Sequence, residues 1–62
     1  MSDRTETLKH LATSGPVWDG NLISKTDRDE LVRAGWVDRY GGWNFLTLQG
    51  VATAVSLGIL AP

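Results

Sequence analysis

The chain has 62 residues, no cysteine, one histidine (His10) and a net charge of −1 from six Lys/Arg and seven Asp/Glu. One domain is the only reasonable count, and it buries roughly 60% of its unfolded surface, so its stability is thin. Disulfides and an ordinary zinc site are excluded as staples, no apolar run is long enough to cross a bilayer, and the charge total gives no basic surplus for a nucleic acid.

The first ten residues, MSDRTETLKH, lack the basic-then-apolar order of a secretory signal, so a soluble, cytoplasmic protein is expected. Residues 3–14 read as the first helix. Asp3 is a good N-cap, with Glu6 completing a capping box, and Leu8, Leu11 and Ala12 share one face. His10 lies off that stripe and reads as a surface residue. Gly15 and Pro16 stop the helix. Val17-Trp18 is strand-prone but runs straight into the turn signal Asp19-Gly20, which predicts a very short extended segment at a sheet edge. Residues 15–23 leave two options open: DGNLIS forms one abbreviated helical turn, or there is no middle helix.

The second helix spans 24–34, with Ser24 as its cap and Asp27 in a weaker capping box. Leu31, Val32 and Ala34 are its expected buried side, and Gly35 its stop. Asp29 and Arg33 stand at i, i+4, as an intrahelical pair would. Gly41-Gly42 then separates two aromatic-rich runs, the two-residue signature of a β-hairpin. That loop sets Tyr40 opposite Trp43, Arg39 opposite Asn44, Asp38 opposite Phe45 and Val37 opposite Leu46. Tyr40, Trp43 and Phe45 share one side of the ribbon; Val37, Arg39, Asn44 and Leu46 share the other. Trp36 and Phe45 are expected in the core, with Trp43 the more exposed aromatic. Thr47 caps the last helix, in which Leu48, Val51, Ala52, Val55 and Ile59 mark one apolar face. Small Gly50 and Ala52 permit close approach to a neighbouring element. Gly58 ends the helix. The apolar tail 57–62 either folds back on the first helix or forms a dimer seam.

The expected fold is a small α+β domain of three helices and a β-hairpin. The run ELVRAGWVDRYGGWNFLTLQG, residues 30–50, resembles the recognition helix and wing of the winged helix-turn-helix superfamily. The resemblance is carried by Leu31, Gly35, Trp36-Val37, the Gly41-Gly42 turn, Leu46-Thr47 and Gly50. It covers about a third of the chain closely and the remainder by element order. It departs from the family in the abbreviated stretch before the second helix.

The resemblance implies a DNA-binding, transcription-regulatory role, with Ser24, Lys25, Thr26, Arg28 and Arg33 reading the major groove and Arg39 on the wing reaching a phosphate. Asp27, Asp29 and Glu30 stand among them and oppose a polyanion. A solvated helix face is the competing reading. The second functional reading is a protein-interaction adaptor that uses the wing aromatics Tyr40 and Trp43. The resemblance to abbreviated, stand-alone winged helices points to a phage or prophage accessory protein. Duplex DNA, a protein partner and a second copy of the chain all stay open as partners. No catalytic constellation, phosphate-cradling loop, metal-ligand set or cofactor motif is present, and the expectation is a non-enzyme without cofactors.

Overall fold

The computed structural model describes residues 4–62. Along the chain run α1 (Arg4–Ser14), β1 (Val17–Trp18), a single 3₁₀ turn (Asp19–Asn21), α2 (Lys25–Arg33), β2 (Val37–Tyr40), β3 (Trp43–Leu46) and α3 (Leu48–Ser56). This is an α+β domain of three helices against a small antiparallel sheet of order β1-β3-β2. The middle segment is thus the abbreviated turn, one of the two options the sequence left open. The expected cap Asp3 lies outside the described residues.

Local signals set most element ends. The Ser24 hydroxyl accepts the Asp27 N–H at 3.1 Å, and the Thr47 hydroxyl accepts the Gly50 N–H at 3.0 Å, so α2 and α3 both start on side-chain caps. Their C-termini match as well. Gly35 (φ 84°) and Gly58 (φ 76°) take the left-handed conformation. The N–H groups of Gly35 and Trp36 return to the carbonyls of Val32 and Leu31, and those of Gly58 and Ile59 to Val55 and Ala54. Both are Schellman closures, which satisfy the last carbonyls and turn the chain back on itself.

The hairpin has the predicted register, Val37↔Leu46 through Tyr40↔Trp43. Gly41 and Gly42 both have positive φ, 58° and 85°, which is the type I′ requirement that matches the twist of the strands. Val17 and Trp18 extend the sheet by pairing with Asn44 and Trp43. Leu8 and Leu11 of α1, Leu31 of α2, Val17 and Val37 form the buried core, and Leu22, Trp36, Leu46 and Ile59 pack on it. Ile59 shows that the apolar tail folds back. The sheet therefore turns its Val37/Asn44/Leu46 side inward and its Tyr40/Trp43/Phe45 side outward.

Several burial expectations are corrected. Val32 and Ala34 are exposed, because Leu31 alone of that group points between α1 and the sheet. Trp36 and Phe45 are half-buried rather than core, since a domain this thin covers only one face of a large ring. Asp27, expected on the surface, is buried, as is Thr7 of α1. His10 is half-buried with its Nδ1 shielded from solvent.

The largest correction concerns α3. Its buried residues are Gly50 and Ala54, while Leu48 is 91% exposed, Val51 and Ala52 are exposed, and Val55 is half-covered. The helix is rotated by its start. The Thr47 N–H donates to the Trp36 carbonyl at 3.0 Å, and the Thr47 hydroxyl donates to the Gly35 carbonyl at 2.6 Å. Gly50 then lies so close to the α2–β2 connection that a Cβ there would stand 1.9 Å from the Trp36 oxygen. With Gly50 forced inward, Leu48 and Ala52 must face outward at helical spacing. The close approach expected of Gly50 is real; Ala52 takes no part in it.

Candidate functional site: a shared carboxylate and an aromatic row

Two features stand out, and both are built on the abbreviated turn and the hairpin. The first is centred on Asp19, which opens the 3₁₀ turn. Arg28 reaches it from α2 through Nη1 at 3.1 Å. Arg39 grips it from β2 through Nε at 3.0 and 3.1 Å, and through Nη2 as well. Asn44 donates its amide to the same carboxylate at 2.8 Å and to the Val17 carbonyl at 3.0 Å. The Asn44 oxygen accepts Arg28 Nη1 at 3.0 Å. Asn44 is completely buried, so each of these bonds replaces water that it has lost.

The Arg39 hydrogen bond, then that of Asn44, holds the Asp19 carboxyl far below the usual carboxylate range, and Asp19 in turn raises the Arg39 guanidinium. Asp29 takes a further Arg28 donor, Nε, at 2.7 Å. That is a correction to the expected Asp29–Arg33 pair: the neighbouring arginine is the nearer partner. The Arg28 side chain keeps only 11% of its surface.

The groove-reading set therefore separates. Ser24 is occupied as a cap. Arg28 and Arg39 are both drawn onto Asp19. Lys25, Thr26 and Arg33 remain exposed on α2. Of the acidic residues among them, Asp27 points inward while Asp29 and Glu30 stay outside, and Glu30 pairs with Arg4 at 3.4 Å.

The second feature is on the outer side of the sheet. Trp18, Trp43 and Tyr40 are cross-strand neighbours on β1, β3 and β2, and they form a row of three rings. Trp18 and Trp43 meet edge to face with centroids 5.4 Å apart, the preferred arrangement of two ring quadrupoles. The Trp18 ring also covers Gly42, where a Cβ would come within 2.5 Å of it, and the Asp19 N–H donates to the Gly42 carbonyl at 2.9 Å. All three rings stay open to solvent: Trp18 46%, Trp43 49% and Tyr40 81% exposed. Asp38 is exposed, and its register opposite Phe45 sets it on this same side. One Asp38 oxygen accepts the Arg39 N–H at 2.8 Å, which blunts the free edge of β2.

The sequence assigned Tyr40 and Trp43 to partner binding but left Trp18, Asp19 and Asn44 out of that set. One signal pointed to Asn44: the hairpin register sets this amide on the same side as Val37 and Leu46, and a polar group facing a core needs partners. Among the described residues, no group of His, Asp or Glu side chains is placed to hold a metal ion, and no helix is long and apolar enough to cross a membrane. Comparison with protein-family models, with curated proteins and with solved structures finds no match.

Proposed function

We propose that this chain is a non-catalytic protein-interaction module that engages its partner through the aromatic row Trp18–Trp43–Tyr40. One observation carries this reading. The two arginines best placed to meet a phosphate backbone are both paired with carboxylates, Arg39 with Asp19 and Arg28 with Asp19 and Asp29, while three large rings lie uncovered side by side. Exposed, pre-positioned aromatics are the typical anchors of protein interfaces. The charge beside them defines the partner further. Asp38 gives the outer side a carboxylate, so the row suits a protein surface that presents arginine or lysine, which can lie over a ring face and pair with Asp38. The same carboxylate works against stacking by a nucleic acid.

A second reading, duplex DNA binding in a transcription-regulatory role, is favoured by a different observation. The strand order β1-β3-β2, with α2 leading directly into the hairpin, fits a winged-helix-like arrangement. Lys25, Thr26 and Arg33 are open on α2. In that reading they meet the duplex without Arg28.

One pair of titrations separates the two. A labelled duplex and an arginine-rich peptide are each titrated with the protein at low salt and followed by anisotropy. The adaptor reading expects saturable peptide binding that Trp43→Ala and Tyr40→Ala abolish while each variant keeps the wild-type circular dichroism spectrum, and no duplex binding. Duplex binding whose log–log salt slope falls by about one in Lys25→Ala would instead establish the DNA reading.

A further inference from the structure

From Tyr40 to Pro62 the chain contains no Asp, Glu, Lys, Arg or His; every one of its charged side chains lies before Tyr40. Helix α3 belongs entirely to this neutral stretch, yet it turns its apolar stripe outward. Leu48, Val51, Ala52 and Val55 follow one another at helical spacing on the side opposite the buried Gly50 and Ala54. Leu57, at the end of the same helix, is also exposed. Beside the stripe lies a shallow groove of about 240 Å³ lined by Leu11, Pro16, Phe45, Val51 and Leu60. A solvent-facing helix ordinarily carries charged residues on its outer side. A neutral, apolar one is unusual in a domain whose other two helices are rich in charge.

We infer that this face is a self-association surface and that its occupant is a second copy of the chain, paired by α3 against α3 about a two-fold axis. The charge pattern selects the occupant. A partner with a charged rim would set its ions against a surface that holds no counter-charge, at a desolvation cost. A second copy supplies an equally neutral face of matching shape, as an isologous contact requires. Antiparallel pairing sets Leu48 of one copy against Val55 of the other and brings Ala52 close to the axis, where its small side chain lets the helices approach.

The area limits the strength. A standard interface takes roughly 800 Å² from each partner, which is about a fifth of the 4066 Å² this molecule exposes. A nine-residue helix is only about 13.5 Å long, so the stripe must recruit the groove and Leu57 to approach that figure. A small contact of this kind suits a weak, reversible dimer. The α3 stripe shares no residue with the aromatic row Trp18–Trp43–Tyr40, although the groove beside it reaches Phe45 on the same side of the sheet, and the two proposals are tested by different substitutions.

Sedimentation equilibrium of the purified chain from about 1 μM to 1 mM tests it. The wild type passes from monomer to dimer across this range. Leu48→Glu raises the dissociation constant at least tenfold with an unchanged circular dichroism spectrum, and Trp43→Ala leaves it as it was. In a chain without native cysteine, A52C oxidises to a covalent dimer faster than the flanking Q49C. A wild type that stays monomeric to 1 mM, or a Leu48→Glu chain that dimerises as well as the wild type, or equal cross-linking at the two positions, overturns the inference.

Discussion

Replacing Gly50 with alanine sets two opposite effects against each other. Glycine inside a helix is about 1 kcal/mol worse than alanine, so by propensity alone the substitution stabilises α3. The structure gives the other sign. The new Cβ would stand 1.9 Å from the Trp36 carbonyl oxygen and 2.8 Å from its carbon. Both are backbone atoms, so no side chain can swing aside. Ordinary contact begins near 3.4 Å, so α3 must withdraw by roughly 1.5 Å. Withdrawal stretches the two bonds that Thr47 makes to Trp36 and Gly35, at 3.0 and 2.6 Å, each contributing about 1 kcal/mol. Overpacking costs a further 1–3 kcal/mol.

After the propensity gain is set against these losses, the net is a destabilisation of about 2–4 kcal/mol, at roughly 8 °C in melting temperature per kcal/mol for a domain of this size. Thermal melts followed by circular dichroism measure it. Ser56→Ala, on the exposed side of the same helix, serves as the control and should stay within about 0.5 kcal/mol of the wild type. A Gly50→Ala protein that melts at or above the wild type would refute the account of how α3 is seated.

Two further substitutions probe the polar cluster. Asn44→Ala removes a fully buried amide and strands the Val17 carbonyl and one Arg28 donor; urea unfolding should show a loss of about 2–3 kcal/mol. Asp19→Asn should change the pH dependence of stability. The folded Asp19 carboxyl titrates below its unfolded value, so its contribution is present above about pH 4 and is lost as acid protonates it. Melts between pH 6 and pH 2 should therefore fall less steeply in Asp19→Asn than in the wild type, and parallel curves would contradict the assignment.

The parts of this molecule that were legible in advance are those governed by neighbours in sequence. The Gly41-Gly42 loop and the two-residue period of strands fix the hairpin register together. Ser24, Thr47, Gly35 and Gly58 mark helix ends because capping bonds reach only a few residues. The rotation of α3 was not legible. Its stripe of Leu48, Val51, Ala52 and Val55 is a good amphipathic pattern, but periodicity states which residues share a face and not which way the face points. That was decided by Gly50 against a carbonyl fourteen residues earlier. The Asp19 cluster was hidden for a similar reason. Its partners lie 9, 20 and 25 residues away, and only the tertiary fold brings them to one carboxylate. Tyr40 and Trp43 were picked out from the sequence, while Trp18 joined them only because β1 pairs with β3.

The bonds around Asp19 have a mechanical consequence. They join the 3₁₀ turn to α2, β2 and β3 at a single point, with much of it screened from water. A hinge between the helical part and the ribbon would have to tear several charge-assisted bonds at once. A partner docking on the aromatic row, as proposed, would therefore meet a preorganised template. Little ordering entropy is lost on docking, and discrimination rests on fit to a fixed shape rather than on moulding around the guest.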